Sequence, residues 1–537
     1  MKAYETASPT RVDQPQTGSI ADSGRRLVSG RLGATLVLSN AFWGWAGPVL
    51  VMLFGGFLRF YRLSKPDAIV FDETYYVPDS NSILRHGVEL NHVSKVNDFL
   101  LHGNPHFLEK SGELVAHPPL GKMMMAVGQW TFGLSPFGWR FSVALIGTVS
   151  ILMTARIARR MTGSTMLGCV AGLLLALDGL ELVLSRTAIL DIFVMFWVLA
   201  AFGLLVIDRD RTKARLKAAA DQTAYDESGP GLGIRWLRVG AGVCLGAAVA
   251  SKWNGLWYLF AFAGLAISWD LGSRRAAGFR NWFPASLRHD WKWLPVWFVV
   301  APFVVYTASW TGWFLNSTGY YRNWAAQHGN HTPIWSTIDS WWQYNHWMYQ
   351  FGVGLTSFQS YKSNPVGWMV LARPISFYWS QPTKSTASEV LAMGTPAIWW
   401  GGSLALLFCL GWWLAGFIGD LVFGRLPKRD WRAGAVLLGV LAGWLPWIWY
   451  AWHDNRTEFY YYAVVFDPFL VIAITLCLGL IIGPAHAEQW RRALGTALTG
   501  VFLIAVVLNL AYIYPILTAE VIPYTAWLHR MWFHRWI

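Results

Sequence analysis

Residues 43–60 read WGWAGPVLVMLFGGFLRF, an almost uninterrupted apolar run in which Arg59 is the single charged residue. Its length matches the roughly 20 residues that a helix needs to cross the apolar core of a bilayer. Similar runs recur as far as Ile513, and we count about eleven of them. The chain is therefore predicted to be an all-α polytopic membrane protein.

The composition supports this prediction. Of the 537 residues, 54% are hydrophobic and 14% are charged, whereas about a quarter of the residues in soluble proteins are charged. The net charge of +13 lies mainly in short connections between apolar runs, which argues against binding of nucleic acid. Four cysteines lie inside apolar runs without a Cys-x-x-Cys pair, so neither a disulfide framework nor a zinc site is expected.

Basic residues alternate between the two sides of the predicted bundle. Every second connection carries several Lys and Arg residues, whereas the short turns between them carry one each: Arg186, Lys252 and Arg456. By the positive-inside rule, the basic connections are cytoplasmic and the sparse turns face outward. We therefore expect a disordered cytoplasmic tail (residues 1–40), a membrane domain (residues 41–515) and an outer C-terminal tail (residues 516–537).

Two long hydrophilic loops, residues 61–136 and 311–396, fall on the predicted outer face, and both are expected to carry amphipathic helices. The second loop contains apolar residues near helical spacing, which predict an amphipathic helix lying in the membrane interface: Ile334, Ile338, Trp341 and Met348. The first loop contains Phe71-Asp72-Glu73, two adjacent carboxylates shortly after a membrane exit, and then residues 117–122, HPPLGK. Two prolines restrict this backbone, and Gly121 permits either an unusual backbone dihedral angle or a close approach by another segment.

Each of these motifs alone also fits a plain structural role, such as a solvated acidic turn or the start of a helix. In this order, however, they resemble the protein O-mannosyltransferase family, whose members are GT-C glycosyltransferases. Three further stretches add to the resemblance: residues 184–191 (LSRTAILD), 250–255 (ASKWNG) and 459–462 (FYYY). Eukaryotic members insert a β-trefoil domain in the second outer loop, and the short loop here resembles the bacterial branch.

The resemblance implies a GT-C fold in a bacterial cytoplasmic membrane and a polyprenyl-phosphate-mannose–protein mannosyltransferase activity. Mannose would pass to Ser or Thr hydroxyls of secreted polypeptides with inversion. Asp72 is then the base that takes the hydroxyl proton, and Glu73 orients the acceptor or a cation, although the reverse assignment stays open. Cations must stabilise the leaving phosphate, and the candidates are Arg186, Lys252, Arg140 and Arg456. Supporting roles are expected for His117, Lys122, Asp191 and Tyr461.

Several alternatives remain open from sequence. No cofactor is required by this reaction, but Asp72, Glu73 and Asp191 carry oxygens that suit Mg²⁺ or Mn²⁺. The expected partners are the polyprenyl-phosphate-mannose donor, secreted polypeptides and membrane lipid, and association with the Sec translocon is left open. The competing functions are a GT-C transferase that glycosylates a lipid or glycolipid, and a transporter. The absence of a visible repeat and the charges gathered at one face argue against a transporter.

Overall fold

The computed structural model describes residues 42–222, 227–422, 430–454 and 456–537. The predicted disordered tail of residues 1–40 lies outside the described residues. In the N-terminal half the helices are α1 (Trp43–Phe60), α2 (Glu73–His86), α3 (Val96–Leu101), α4 (Leu120–Phe132), α5 (Pro136–Thr162), α6 (Thr165–Ala176), α7 (Gly179–Leu184) and α8 (Asp191–Gln222). They are followed by α9 (Trp236–Ser251), α10 (Gly255–Ala277), α11 (Trp282–Ser309), α12 (Thr311–Leu315), α13 (Trp324–Gln327), α14 (Pro333–Val353), α15 (Pro396–Val422), α16 (Trp431–His453), α17 (Asp467–Ile482), α18 (Gln489–Leu517) and α19 (Tyr524–Leu528).

The chain is a multi-pass membrane protein. Among the described residues, nine helical segments are long and apolar enough to span a membrane: α1, α5, α8, α10, α11, α15, α16, α17 together with the 3₁₀ turn Tyr460–Phe466, and α18. Two of the predicted spans are shorter, because α6 has 12 residues and α9 has 16. The count of eleven is therefore not confirmed.

The short length of α6 has a local cause at Asp178. Its carboxylate accepts hydrogen bonds from the backbone N–H groups of Leu180 and Glu181, at 2.9 and 3.2 Å. This is the N-cap arrangement that starts a new helix, so the apolar run breaks at Asp178 and continues as α7. Glu181 on α7 forms a fully buried ion pair with Arg59 of α1, which joins the broken helix to the first span.

Both long loops lie at one side of the bundle, which we call the loop face. The first loop adds a two-stranded antiparallel pair, β1 (Leu90–His92) and β2 (Leu108–Gly112). The second loop contributes β3 (Ile375–Ser380) and β4 (Thr386–Ala392), and β5 (Ile522–Pro523) comes from the C-terminal segment, in the antiparallel order β3-β4-β5. The sequence did not predict these strands, because they are short and one pairing joins segments far apart in the chain.

The amphipathic helix predicted in the second loop is α14, and the predicted apolar stripe is exposed only in its first half, at Ile334 and Ile338. Ile334, Trp335 and Trp342 are exposed, whereas Met348 is buried and packs in a small core with residues of the first loop. Helical spacing alone does not distinguish a lipid-facing surface from one that packs on protein.

Ion pairs at the opposite side of the bundle fix the three helices that carry the central turns of the loop face. Arg238 on α9 bonds to Asp208 on α8 at 2.8 Å and to Asp270 on α10 at 2.6 Å. All three side chains are buried. Since α8, α9 and α10 are tied at this side, their other ends hold Asp191 and Lys252 at defined positions.

The HPPLGK motif brings α4 against two turns of the loop face. A Cβ added at Gly121 would lie 2.9 Å from a methyl carbon of Leu190 and 3.4 Å from the Cβ of Ser251. The close approach predicted for Gly121 is therefore present. It places His117 and Lys122, which flank Gly121, beside the residues that begin α8 and end α9.

Candidate active site

Asp72 directly precedes α2 at the loop face. Its carboxylate accepts a hydrogen bond from the hydroxyl of Tyr461 at 3.4 Å. Burial raises the pKa of Asp72 to about 6, with Lys252 lowering it and Asp191 raising it. A carboxylate with a pKa close to neutrality is a stronger base than an ordinary one and is still deprotonated at neutral pH. Asp72 is therefore suited to take a proton from a hydroxyl group.

The backbone before Asp72 is in an unusual conformation. Phe71 has a φ of 49°, in the left-handed region that costs a residue with a side chain about 1–2 kcal/mol. Its ring stacks on Phe377 with centroids 4.5 Å apart and meets the edges of Phe459 and Tyr461. The residue that precedes Asp72 is thus enclosed by three aromatic rings.

Glu73 points away from Asp72 into a buried ion pair. Its two oxygens accept hydrogen bonds from Arg140 at 2.8 and 2.9 Å. The backbone N–H groups of Val70 and Ala188 also donate to this carboxylate, at 2.9 and 3.0 Å. Glu73 therefore joins the first loop, α5 and the turn between α7 and α8, and this geometry suits a framework role.

Arg140 and Arg186 are engaged by backbone carbonyls. Arg140 donates to the carbonyls of Pro66 and Ala68 at 2.9 and 2.8 Å. Arg186 donates to carbonyls at the end of α1 and just beyond it: Leu58, Arg59, Tyr61 and Arg62. Burial lowers the pKa of Arg186 to about 10, so it stays charged at neutral pH. In this geometry both guanidinium groups stabilise the fold of the first loop.

Lys252 is the cation that lies with Asp72. It directly follows α9 and forms an ion pair with Asp191, the first residue of α8, at 2.8 and 3.0 Å from the two carboxylate oxygens. Asp191 is therefore paired with Lys252. The ammonium also lies 4.5 Å from the ring centroid of Tyr462 and 5.6 Å from that of Tyr461, a cation–π arrangement.

His117 belongs to the same group of side chains. Its ring lies 6.1 Å from the ring of Tyr76. Burial lowers the pKa of His117 well below its usual value, and the neighbouring charges of Lys252, Lys122 and Arg456 lower it further. The imidazole is therefore neutral at neutral pH and offers one donor and one acceptor. We call Asp72, His117, Asp191, Lys252 and Tyr461 the Asp72 cluster.

Arg456 lies at the border of the Asp72 cluster, on the side where the second loop packs. Its Nε donates to the carbonyl of Gly352 at 2.6 Å, and an Nη donates to the carbonyl of Thr457 at 3.2 Å. The guanidinium lies 5.1 Å from the ring of Trp447 and 5.8 Å from that of Tyr462. Arg456 is half-buried and joins the end of α14 to the turn after α16.

Lys122 pairs with two other carboxylates of the first loop. Its ammonium lies 2.6 Å from a carboxylate oxygen of Glu89 and 3.4 Å from one of Asp79. Burial lowers the pKa of Lys122, but the two carboxylates outweigh burial and raise it above the ordinary value. Lys122 thus ties α4 to α2 and to the segment before β1, in line with the supporting role expected for it.

The oxygens expected for a divalent metal do not converge. Both oxygens of Glu73 are taken by Arg140 and by backbone N–H groups. Both oxygens of Asp191 face Lys252. Within the described ranges there is no group of three His, Cys, Asp or Glu side chains arranged to hold a metal ion. Asp72, Glu73 and Asp191 in this geometry therefore do not fit a shared metal site.

Three residues near Asp72 were not predicted from the sequence to belong to the site. Tyr76 lies close enough for the charges of Asp72 and Asp191 to raise its pKa, after burial as the main cause. Tyr462 faces Lys252, and its position in the FYYY stretch was a signal that was available. Phe377 had no signal, because a phenylalanine in a short strand has no distinctive pattern.

Comparisons with known proteins cover nearly the whole described chain. Residues 49–311 match the family of dolichyl-phosphate-mannose-protein mannosyltransferases, and residues 337–536 match the C-terminal four-helix membrane region of protein-O-mannosyltransferase. A polyprenol-phosphate-mannose–protein mannosyltransferase of Mycobacterium tuberculosis is 35% identical over 514 residues, which are 92% of each chain. One of Corynebacterium glutamicum is 31% identical over 92% of this chain and 93% of its own.

A solved structure shows the same fold. The Pmt1-Pmt2 protein O-mannosyltransferase complex of Saccharomyces cerevisiae, bound to its sugar donor, matches with a TM-score of 0.70. The match covers 95% of this chain and 94% of the yeast chain at 14% sequence identity. At this identity the likeness shows the fold, and the roles of individual residues rest on the geometry described above.

Proposed function

The chain belongs to the protein O-mannosyltransferase family, and we propose that it transfers mannose from a polyprenyl-phosphate carrier to Ser or Thr hydroxyls of secreted polypeptides. The observation that carries this proposal is the Asp72 cluster. It brings a carboxylate with a pKa near 6 and the ammonium of Lys252 to one place at the loop face. A base and a phosphate-binding cation are the two groups that this reaction needs.

The proposed reaction is a single displacement. A Ser or Thr hydroxyl oxygen of the acceptor attacks the anomeric carbon of mannose while Asp72 takes the hydroxyl proton. The bond between the anomeric carbon and the phosphate oxygen breaks, and its electrons leave with the polyprenyl phosphate. Because attack and departure occur on opposite sides of the carbon, the configuration inverts. No covalent sugar–enzyme intermediate is needed, and Asp72 is the base rather than Glu73.

Lys252 is the proposed cation for the leaving phosphate, with Arg456 at the border of the cluster as a second. Lys252 is already balanced by Asp191, so the donor phosphate would share the ammonium with this carboxylate. Arg186 and Arg140, also expected to bind phosphate, are proposed instead to hold the first loop, because their donors already bond to carbonyls and to Glu73. No metal is proposed for the reaction.

We place the reaction at the outer face of a bacterial cytoplasmic membrane. The basic connections of the sequence then lie in the cytoplasm, with the N-terminus cytoplasmic and the C-terminus outside. The loop face carries the Asp72 cluster and is the outer face in this orientation. Acceptors would reach it as they emerge from the membrane, where the Sec translocon would be a neighbour.

The proposal is tested with membranes containing the full chain, labelled polyprenyl-phosphate mannose and a Ser/Thr-containing peptide. The expected result is labelled peptide, and a matched peptide with Ala at every Ser and Thr should stay unlabelled. Addition of EDTA is expected to leave the rate unchanged. Label that appears only in lipid would instead support transfer to a lipid acceptor and would overturn the proposal.

Replacing Lys252 with Ala is expected to weaken use of the donor. Loss of a hydrogen bond between charged groups costs about 1.5–3 kcal/mol, or about 10- to 150-fold in kcat/KM for the donor. The measurement is the donor-concentration dependence of transfer. Lys110→Ala is the control, because Lys110 is exposed on β2. A Lys252→Ala protein with the same donor dependence as the wild type would place the phosphate elsewhere.

The pH dependence of transfer should report the deprotonation of Asp72. The base is active when deprotonated, so kcat/KM is expected to rise with pH and to level off above a midpoint near 6. The Lys252→Ala variant removes a charge that lowers the pKa of Asp72 and should move the midpoint upward. Asp191→Asn removes a charge that raises this pKa and should move it downward. Identical midpoints in all three proteins would contradict the role of Asp72.

A further inference from the structure

The conformation of the acidic motif depends on a contact from a distant part of the chain. Phe71 holds a left-handed backbone, which few residues with a side chain adopt without support. Its ring is nearly parallel to that of Phe377, with an angle of 7° between the ring planes and 4.5 Å between the centroids. The two residues are separated by most of the membrane domain in sequence.

Phe377 is itself held in place by a small sheet that includes a strand of the C-terminal segment. It lies on β3, which pairs with β4, and β4 pairs with β5 after the last membrane helix. Phe377 is 5% exposed, and its ring also meets the edge of Tyr461, with centroids 5.5 Å apart. Tyr461 donates to Asp72. Phe377 thus contacts both the residue that precedes Asp72 and the residue that bonds to its carboxylate.

We propose that Phe377 is a positioning residue for the reaction, because its ring holds the left-handed turn at Phe71 and so keeps Asp72 directed at Tyr461 and Lys252. The second loop would then help to position the base, Asp72, although it supplies no group that reacts. This inference rests on the proposed function for its kinetic consequences. Its structural consequence, the order of the turn at residues 70–76, is independent of the reaction.

The matched control lies on the same strand. Trp379 packs against Trp527 of the C-terminal segment, with ring centroids 4.6 Å apart, and no ring contact between Trp379 and Phe71 is among those of the described residues. Trp379→Ala therefore removes a larger ring from β3 without removing the contact to the acidic motif. A general weakening of the small sheet should affect both variants, whereas positioning of Asp72 should affect only Phe377→Ala.

The kinetic test compares the full-length Phe377→Ala and Trp379→Ala proteins with the wild type. Phe377→Ala is expected to lower kcat about tenfold, the loss of a well-packed ring pair, with the KM for the donor little changed. The pH midpoint should also move, because Asp72 would sit differently relative to Tyr461 and Lys252. Phe377→Tyr keeps the ring and should restore kcat. Equal losses in Phe377→Ala and Trp379→Ala, with an unmoved midpoint, would overturn the proposal.

Repeating Phe377→Ala in a Phe71→Gly protein separates the effect on the backbone of residue 71 from a general effect on packing. Glycine adopts a positive φ without cost, so Phe71→Gly keeps access to the turn while removing the ring that Phe377 supports. Phe377→Ala is expected to cost about tenfold in the wild-type background and at most about twofold in the Phe71→Gly background. The same loss in both backgrounds would contradict a coupling between the two rings.

Hydrogen exchange gives a measurement that needs no donor. The backbone N–H groups of Glu73, Tyr75 and Tyr76 donate to carbonyls within the turn, at 3.0, 3.0 and 3.1 Å. Their protection should fall in Phe377→Ala and stay unchanged in Trp379→Ala. Unchanged protection in Phe377→Ala would overturn the inference. A wild-type protein without mannosyl transfer would instead overturn the proposed function, and these two results are distinguishable.

Discussion

Asp72→Asn should reduce mannosyl transfer by about two to four orders of magnitude, the range over which a general base contributes. The amide has nearly the shape of the carboxylate but accepts no proton. Burial makes the charged form of Asp72 unfavourable, as its raised pKa of about 6 indicates. A neutral side chain at this position is therefore not expected to destabilise the fold, and the variant should be inserted and folded like the wild type.

The measurement is the transfer rate at saturating donor and peptide, with the unfolding temperature of the purified protein alongside it. Asp67→Asn is the control, because Asp67 is an exposed aspartate of the same loop. Comparison with Glu73→Gln tests the reverse assignment. Strong activity in Asp72→Asn together with a kinetic loss in a stably folded Glu73→Gln would make Glu73 the base.

Arg140→Met should give the largest loss of stability among substitutions near the site. The methionine keeps much of the apolar volume but leaves the carboxylate of Glu73 buried without its cation. Removing one partner of a buried ion pair costs about 3–5 kcal/mol. The carbonyls of Pro66 and Ala68 lose their donor as well, so the first loop should loosen and transfer should fall with it.

Chemical or thermal unfolding of the protein in nanodiscs measures the effect of Arg140→Met. Arg140→Met combined with Glu73→Gln removes the unpaired charge and should recover part of the lost stability. Arg85→Met is the control on α2, since Arg85 bonds to Asn81 at 2.9 Å at a more exposed position. An Arg140→Met protein as stable as the wild type would show that Glu73 does not depend on this pair.

The first prediction tests Asp72, and the second tests the ion pair of Glu73 with Arg140. The sequence presents Asp72 and Glu73 as one motif. Asp72 and Glu73 are adjacent, and from sequence either is a candidate base. In the structure they point in opposite directions, because Asp72 precedes α2 and faces Tyr461, whereas Glu73 is the first residue of α2 and faces Arg140. The assignment of roles therefore depends on what each carboxylate contacts. A base needs an accessible, nearly unpaired oxygen, and Asp72 meets this requirement better.

The same holds for the cations. Arg186 and Lys252 each provide the single positive charge of a short turn, and both lie at the loop face. Lys252, however, lowers the pKa of Asp72, whereas Arg186 is engaged by carbonyls at the end of α1. Charge and position along the chain identify candidates, but the direction of a long side chain depends on which acceptors the neighbouring segments bring to it.

The sequence by itself determined the class of protein, most of the apolar spans, the two loops and the short motifs, because these depend on local composition and order. The partners of Glu73, the engagement of Arg186, the strands β3–β5 and the support that Phe377 gives to Phe71 were decided only by the tertiary structure. Each of them joins residues that are distant in the chain. No local pattern encodes such a contact, since it forms only when the packed helices bring both segments to the same place.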